Sequence, residues 1–214
     1  MTLKKLSKLL KTENEKLNLL SSGDIEKLES KHFVDCQAVL DFWKAEVGDS
    51  IIDLGTGGGL PGLVLALAEK KMNFSLLDST EKKIKSIKSM VKALGMKNVK
   101  TLLGRCEVFA QSPKSREKFD IGTARALAPL PTLLELAAGF IKPEGYFYAW
   151  KGENHKEELE LAENAMNHLG MKLLKIHKYK MPEKQTRYIL EFQKTKKLDM
   201  MYPRKDGVPL KSPL

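Results

Sequence analysis

Residues 53–63 read DLGTGGGLPGL, set between the apolar pair Ile51–Ile52 and the apolar run VLALA. Glycine tolerates positive φ and lets a backbone approach a ligand closely, so a strand ending in this turn is suited to wrap one. Gly57, Gly59 and Gly62 carry the GxGxxG spacing of dinucleotide sites, and Pro61 fits the first helical position, where its missing N–H is no loss. The next apolar run ends in Asp78. A carboxylate there accepts hydrogen bonds from ribose hydroxyls, a task common to nicotinamide and S-adenosylmethionine sites. Past the third run, GRCEVF places Cys106 and Glu107 where they can edge an adenine, the first through its backbone N–H and the second as an acceptor.

Asp53 separates the two ligands. An acid two residues before Gly55 repels a pyrophosphate, whereas it stabilises the cationic amine and sulfonium of S-adenosylmethionine. Together with Gly55, Gly57 and Gly59 it spells Asp-x-Gly-x-Gly-x-Gly, which resembles the first motif of class I methyltransferases. No CxxC pair and no histidine cluster occurs, so no metal site is expected, and Cys36 and Cys106 do not suggest a disulfide framework.

The elements that must hold these residues follow from periodicity. SIIDL, NFSLLD, VKTLL, FDIGTA and GYFYAWK read as strands separated by helices, which requires parallel pairing through right-handed crossovers. MKLLKIHKYKM and TRYILEFQK, joined by a short turn around Pro182, predict an antiparallel edge hairpin. The expected fold is α/β, Rossmann-like, with a mostly parallel seven-stranded sheet. Leu3, Leu6, Leu10 and Leu17 predict an N-terminal amphipathic helix that caps the core, with further helices within DIEKLESK and FVDCQAVLDFWKAEV. The expected division is a helical extension over 1–49, the catalytic domain over 50–195, and a basic, proline-rich tail over 196–214. The tail is expected to be mobile when free, to lie along RNA phosphates or pack beside the RNA-facing rim of the sheet, and to leave the cofactor pocket independent of it.

The net charge of +10 suits a polyanionic partner, nucleic acid first. The lysines interleaved among the N-terminal leucines rule against a signal peptide, and no run approaches a membrane span. A cytoplasmic protein, without membrane contact and monomeric, is the expectation.

Taken in order, DLGTGGGLPG, LLDS, GRCE, ARALAPL, WKG and YPRKDGVPLKSPL resemble the bacterial 16S ribosomal RNA guanine-N7 methyltransferases, also called glucose-inhibited division protein B, from about Asn14 to Leu214. Glu13 stands where that family has an aromatic and Leu20 where it has a threonine, while His32 and Asp35 match. The resemblance implies methyl transfer from S-adenosylmethionine to guanine N7 of 16S ribosomal RNA, free or in the small subunit. It implies cofactor contacts at Gly55, Leu60, Asp78, Ser79, Thr80, Cys106, Glu107 and Arg125; the reading of the loop adds Asp53 and Gly57. Arg125, ending the fourth strand, is the expected catalytic group, its planar fork suited to a carboxylate, a guanine O6 or a phosphate. Lys151, Arg204, Lys205 and Lys211 are the expected RNA contacts. Three other readings compete: a nicotinamide-dependent oxidoreductase, a non-catalytic ribosome-binding factor on this scaffold, and a small-molecule methyltransferase.

Overall fold

Seven apolar runs become seven strands of one sheet in the computed structural model, which describes residues 2–182 and 184–214. They are β1 (Ser50–Leu54), β2 (Asn73–Asp78), β3 (Val99–Leu103), β4 (Phe119–Arg125), β5 (Ile141–Lys151), β6 (Met171–Lys180) and β7 (Thr186–Lys194). Their order is β3-β2-β1-β4-β5-β7-β6. The first five pair in parallel. β7 runs antiparallel to β5, and β6 antiparallel to β7 at the sheet edge. The inner strands β1 and β2 are buried on both faces, which is why they read as continuous apolar runs. Strand order reverses between β1 and β4. In open α/β sheets ligands collect at the carboxyl ends of such a reversal, and here those ends carry Gly55 and Arg125.

One face of the sheet is covered by α1 (Leu3–Leu17), α4 (Gly62–Ala68) and α5 (Glu81–Leu94), which bury Leu6, Leu10, Val64, Ile84 and Ile87. Thus α1 caps the core. The other face is covered by α6 (Cys106–Gln111), α7 (Leu130–Ala138), α8 (His155–Leu161) and α9 (Glu163–Leu169), with Leu133, Leu134, Ala165 and Leu169 inside.

The segment between α1 and the sheet departs from the two helices expected there. It breaks into α2 (Ser22–Glu26), a π turn (Leu28–Phe33), α3 (Val34–Gln37) and a 3-10 turn (Ala38–Asp41). Beyond Asp41 tertiary contacts draw the chain out of helix. Phe42 stacks on His177 with centroids 3.5 Å apart, and the Lys44 N–H donates to the Tyr148 hydroxyl at 2.8 Å.

The tail lies packed against the domain, one of the two placements expected of it, and is not free. The Arg116 guanidinium donates to three of its carbonyls, Leu198 (3.0 Å), Asp199 (2.9 Å) and Tyr202 (2.7 Å). Leu198 and Tyr202 are buried, and a last short helix, α10 (Val208–Lys211), docks on α7 through Thr132 Oγ1, which donates to the Pro209 carbonyl. Proline supplies segments whose φ is already set, so ordering this stretch costs less chain entropy.

Candidate functional site

Asp53 lies at 0% exposure under the loop rather than in front of it. Its Oδ2 accepts the Gly62 N–H at 3.0 Å and its Oδ1 accepts the Thr123 hydroxyl at 2.8 Å. The carboxylate therefore ties the start of α4 to the neighbouring strand β4. Burial pushes its carboxyl up to about 6 against the pull of those hydrogen bonds. The expectation that Asp53 faces a cationic ligand gives way to a scaffold role, because its side chain is enclosed in the core.

Asp78 holds the loop from the next strand. Its Oδ2 accepts the Gly57 N–H at 2.9 Å and its Oδ1 accepts the Thr80 N–H at 2.8 Å. A carboxylate oxygen has two lone pairs, so each keeps a site for a further donor. Gly57 and Leu60, both expected to contact the cofactor, do not line the cavity beyond; Gly57 serves by donating to Asp78, and Leu60 is buried in the core.

A cavity of about 360 Å³ opens in front of Gly55, Asp78, Ser79, Thr80, Cys106 and Glu107, and the fold brings these six expected residues together. Leu127, Leu136 and Leu210 supply an apolar side. At Gly55, with φ +60°, a Cβ would strain the backbone and push the Leu127 side chain out of this wall. Polar groups on one side and apolar side chains on the other suit a ribose and a flat base. S-adenosylmethionine, a nucleoside with a charged amino-acid arm, therefore fits the residues present. Burial, with the Glu107 charge, pushes the Cys106 thiol up to about 12, so it is no nucleophile.

The tail completes this cavity, contrary to the independence expected of it. Leu210 lines it, and the Gly207 N–H donates to Glu107 Oε1 at 3.1 Å. Arg105 bridges Glu107 to Asp206 in the same corner. Arg204, expected on RNA, is instead committed to the fully buried Glu135 through its backbone N–H (2.8 Å) and its guanidinium (2.6 Å). Lys205 and Lys211 remain exposed.

A second cavity of about 670 Å³ lies beside the first, and the two share Ala126, Leu127 and Ala128 as a common wall. Ala126 holds φ +56°, a left-handed conformation uncommon for a side chain and concentrated at working sites. Arg125 opens onto this larger cavity, not onto the smaller one. One arm of its guanidinium donates to Asp35 Oδ2 at 2.9 Å. The other reaches His32 Nδ1 at 3.0 Å. Asp35 in turn accepts the Tyr179 hydroxyl at 2.5 Å on Oδ1 and the Trp150 indole N–H at 2.8 Å on its backbone oxygen. Burial, then the Arg125 charge, lowers the His32 pKa below its ordinary 6.5. Lys151, expected on a phosphate, lies in the wall of the same cavity, 7% exposed and paired with Glu158 at 2.6 Å.

Sequence reasoning passed over Leu127, Glu158, Tyr179 and Arg187, which line these cavities. ARALAPL, quoted for the resemblance, contained the shared wall, and the apolar residues following a strand-end arginine were the available signal. Nothing local marked Glu158 or Tyr179, which reach the site only through tertiary packing. Among the described residues no group of three or more histidine, cysteine or acidic side chains is placed to hold a metal ion.

The comparisons with known proteins agree with one another. The family model described as rRNA small subunit methyltransferase G matches residues 1–187. Ribosomal RNA small subunit methyltransferase G of Clostridium novyi is 37% identical over 207 residues, covering 96% of this chain and 85% of that protein. Its counterpart in Clostridium perfringens is 38% identical over 207 residues, covering 96% and 87%. Among solved structures, an S-adenosylmethionine-dependent methyltransferase from Aquifex aeolicus superimposes with TM-score 0.55 at 19% identity, covering 78% of this chain and 92% of that one. M. jannaschii TYW2, solved in complex with AdoMet, superimposes with TM-score 0.59 at 14% identity, covering 82% and 78%. At such identities the structural likeness speaks for the fold.

Proposed function

Since the chain belongs to the rRNA small subunit methyltransferase G family, we propose that it transfers the methyl group of S-adenosylmethionine to N7 of a guanine in 16S ribosomal RNA. The observation that carries this reading is the pair of cavities meeting at one thin wall, Ala126–Ala128, at the reversal of the sheet. The smaller is lined for a nucleoside. The larger is rimmed by Lys31, Arg125, Lys151 and Arg187, which suits a nucleotide flipped out of its strand.

S-adenosylmethionine supplies a methyl group already activated on a sulfonium. Guanine N7 offers a lone pair and no proton, so no side chain has to act as a base. The chain's contribution is position. Asp78 would accept from the ribose of the bound nucleoside, and Leu127 and Leu210 would cover its apolar side and exclude water. Orientation of this kind accounts for several of the roughly 7–11 kcal/mol that approximation can supply. Arg125, fixed by Asp35 and His32, presents a rigid cation at the mouth of the larger cavity for a phosphate or a base oxygen.

Net charge supports the RNA partner. The exposed Lys4, Lys8 and Lys11 of α1 and Lys82, Lys85, Lys88 and Lys92 of α5 form basic surfaces on two helices that pack together. Lys205 and Lys211 join them as candidate phosphate contacts. Among the described residues no helix is long and apolar enough to cross a membrane. A monomer working in the cytoplasm is the form this reading assumes.

The test is incubation with methyl-labelled S-adenosylmethionine and unmodified small-subunit RNA or particles, followed by chemical cleavage at 7-methylguanine. Label at a single guanine is expected. No label in RNA, or tight NAD binding without S-adenosylmethionine binding by calorimetry, overturns the reading.

A further inference from the structure

Among the described residues three carboxylates line the larger cavity, and two have a donor on each oxygen. Asp35 gives one oxygen to Arg125 and the other to Tyr179. Asp24 gives one to Ser21 and the other to Lys31. Glu158 differs. Both its donors fall on Oε2, the Lys151 ammonium at 2.6 Å and the Leu130 N–H at 2.9 Å, and Oε1 takes no partner among the described residues. Lys151 uses a second proton on the Ala128 carbonyl at 3.0 Å, within the shared wall, and its third is left over. The pair therefore offers the cavity one donor beside one acceptor, with the donor, Lys151, tied to the shared wall through Ala128.

That arrangement matches one purine. Along its edge guanine presents N7, then the O6 acceptor, then the N1–H donor. Adenine presents N7, then an N–H donor, then an unprotonated N1. With N7 at the wall, Lys151 meets O6 and Glu158 meets N1–H; adenine in the same place sets donor against donor and acceptor against acceptor. We propose that Lys151 and Glu158 read the Watson–Crick edge of the target base and restrict methylation to guanine. This rests on the base-methylation reading above and adds the residues that choose the base. A site built to pair polar groups rejects a ligand that leaves them unpaired far more strongly than an apolar pocket rejects a change of shape.

The test uses the full chain and small-subunit RNA in which the nucleotide labelled by the wild type is replaced by inosine or by adenosine. Inosine keeps O6 and N1–H, and its kcat/KM should fall within a few-fold of guanosine; adenosine should be poorer by about a hundredfold or more. Glu158→Gln, whose amide can retain the Leu130 and Lys151 contacts while presenting a donor to the base, should lose about tenfold or more on guanosine. It should also narrow the guanosine-to-adenosine ratio, with S-adenosylmethionine affinity unchanged. A ratio identical to that of the wild type in a folded Glu158→Gln protein overturns the proposal while leaving the methyltransferase reading intact. If that variant does not fold, the wild type decides alone, since equal rates on guanosine and adenosine overturn it. A wild type that labels no RNA removes both readings.

Discussion

Arg125 meets His32 with a guanidinium nitrogen 3.0 Å from imidazole Nδ1. Arginine only donates, so Nδ1 must accept and the imidazole is neutral, its proton on Nε2, 3.2 Å from Asp24. Protonation would end that contact and set two cations face to face.

Stability should follow. The native pKa of His32 is lowered, by burial first and then by Arg125, so below about pH 6.5 the unfolded chain binds a proton that the folded chain refuses. The contribution of this site is full above the unfolded value and is lost as pH falls toward the native one. Urea unfolding from neutral pH down to about pH 6 should show the decline. A His32→Gln variant, able to accept from Arg125 without titrating, should show a flatter profile.

Asp53 acts in the opposite sense and at lower pH. Its native pKa near 6 lies above its ordinary 3.8, so its contribution is full below the unfolded value and is lost as pH rises through 6. In Asp53→Asn the amide can still accept from Gly62 and donate to the Thr123 hydroxyl. Relative to the wild type, this variant should gain up to about 3 kcal/mol in unfolding free energy between acid and neutral pH. A constant difference across that range would count against the buried charge.

Gly55 and Gly57 should behave differently although both have positive φ. A Cβ at Gly57 meets nothing closer than the Gly55 carbonyl at 3.9 Å, whereas one at Gly55 strikes Leu127. Gly57→Ala carries backbone strain of about 1–2 kcal/mol and should still bind S-adenosylmethionine. Gly55→Ala carries similar strain and also displaces the wall between the cavities, so calorimetry should show a loss of affinity of about tenfold or more. Equal affinities for the two would remove Leu127 from the site.

Arg204→Met should unfold the tail rather than release RNA. Glu135 is fully buried, and leaving its charge unpaired costs about 3 kcal/mol, a fall in Tm of roughly 10 °C for a chain of this size. The double variant Arg204→Met, Glu135→Leu should recover most of that loss, since an apolar pair needs no compensating charge. If the single variant melts like the wild type and only its RNA affinity drops, Arg204 belongs to the RNA surface after all.

The inner strands were legible because burial on both faces leaves a plain trace, so SIIDL and NFSLLD coincide with β1 and β2. Asp78 was legible as well, since a strand end fixes where its side chain goes. Asp53 was not, because its role is set by Thr123, seventy residues away on an adjacent strand. The same holds for Arg204, whose partner on α7 is sixty-nine residues earlier in the chain. Helices α8 and α9 escaped notice because each is only seven residues long, too short for periodicity to speak clearly. Charge in a tail reads as solvent-facing until a buried acid is found beneath it.

The seat of α10 sets an order of events during synthesis. Every strand of the sheet, the glycine loop, Asp78 and the Ala126–Ala128 wall leave the ribosome before residues 204–211 do. Leu210 and the Gly207 N–H are supplied only by that late segment. A nascent chain can thus assemble its sheet while the smaller cavity still lacks one side, which closes when the segment beyond β7 folds back onto α7. Messages truncated after β7 would yield a chain with every strand of the sheet in place and neither Leu210 nor the Gly207 N–H at the smaller cavity.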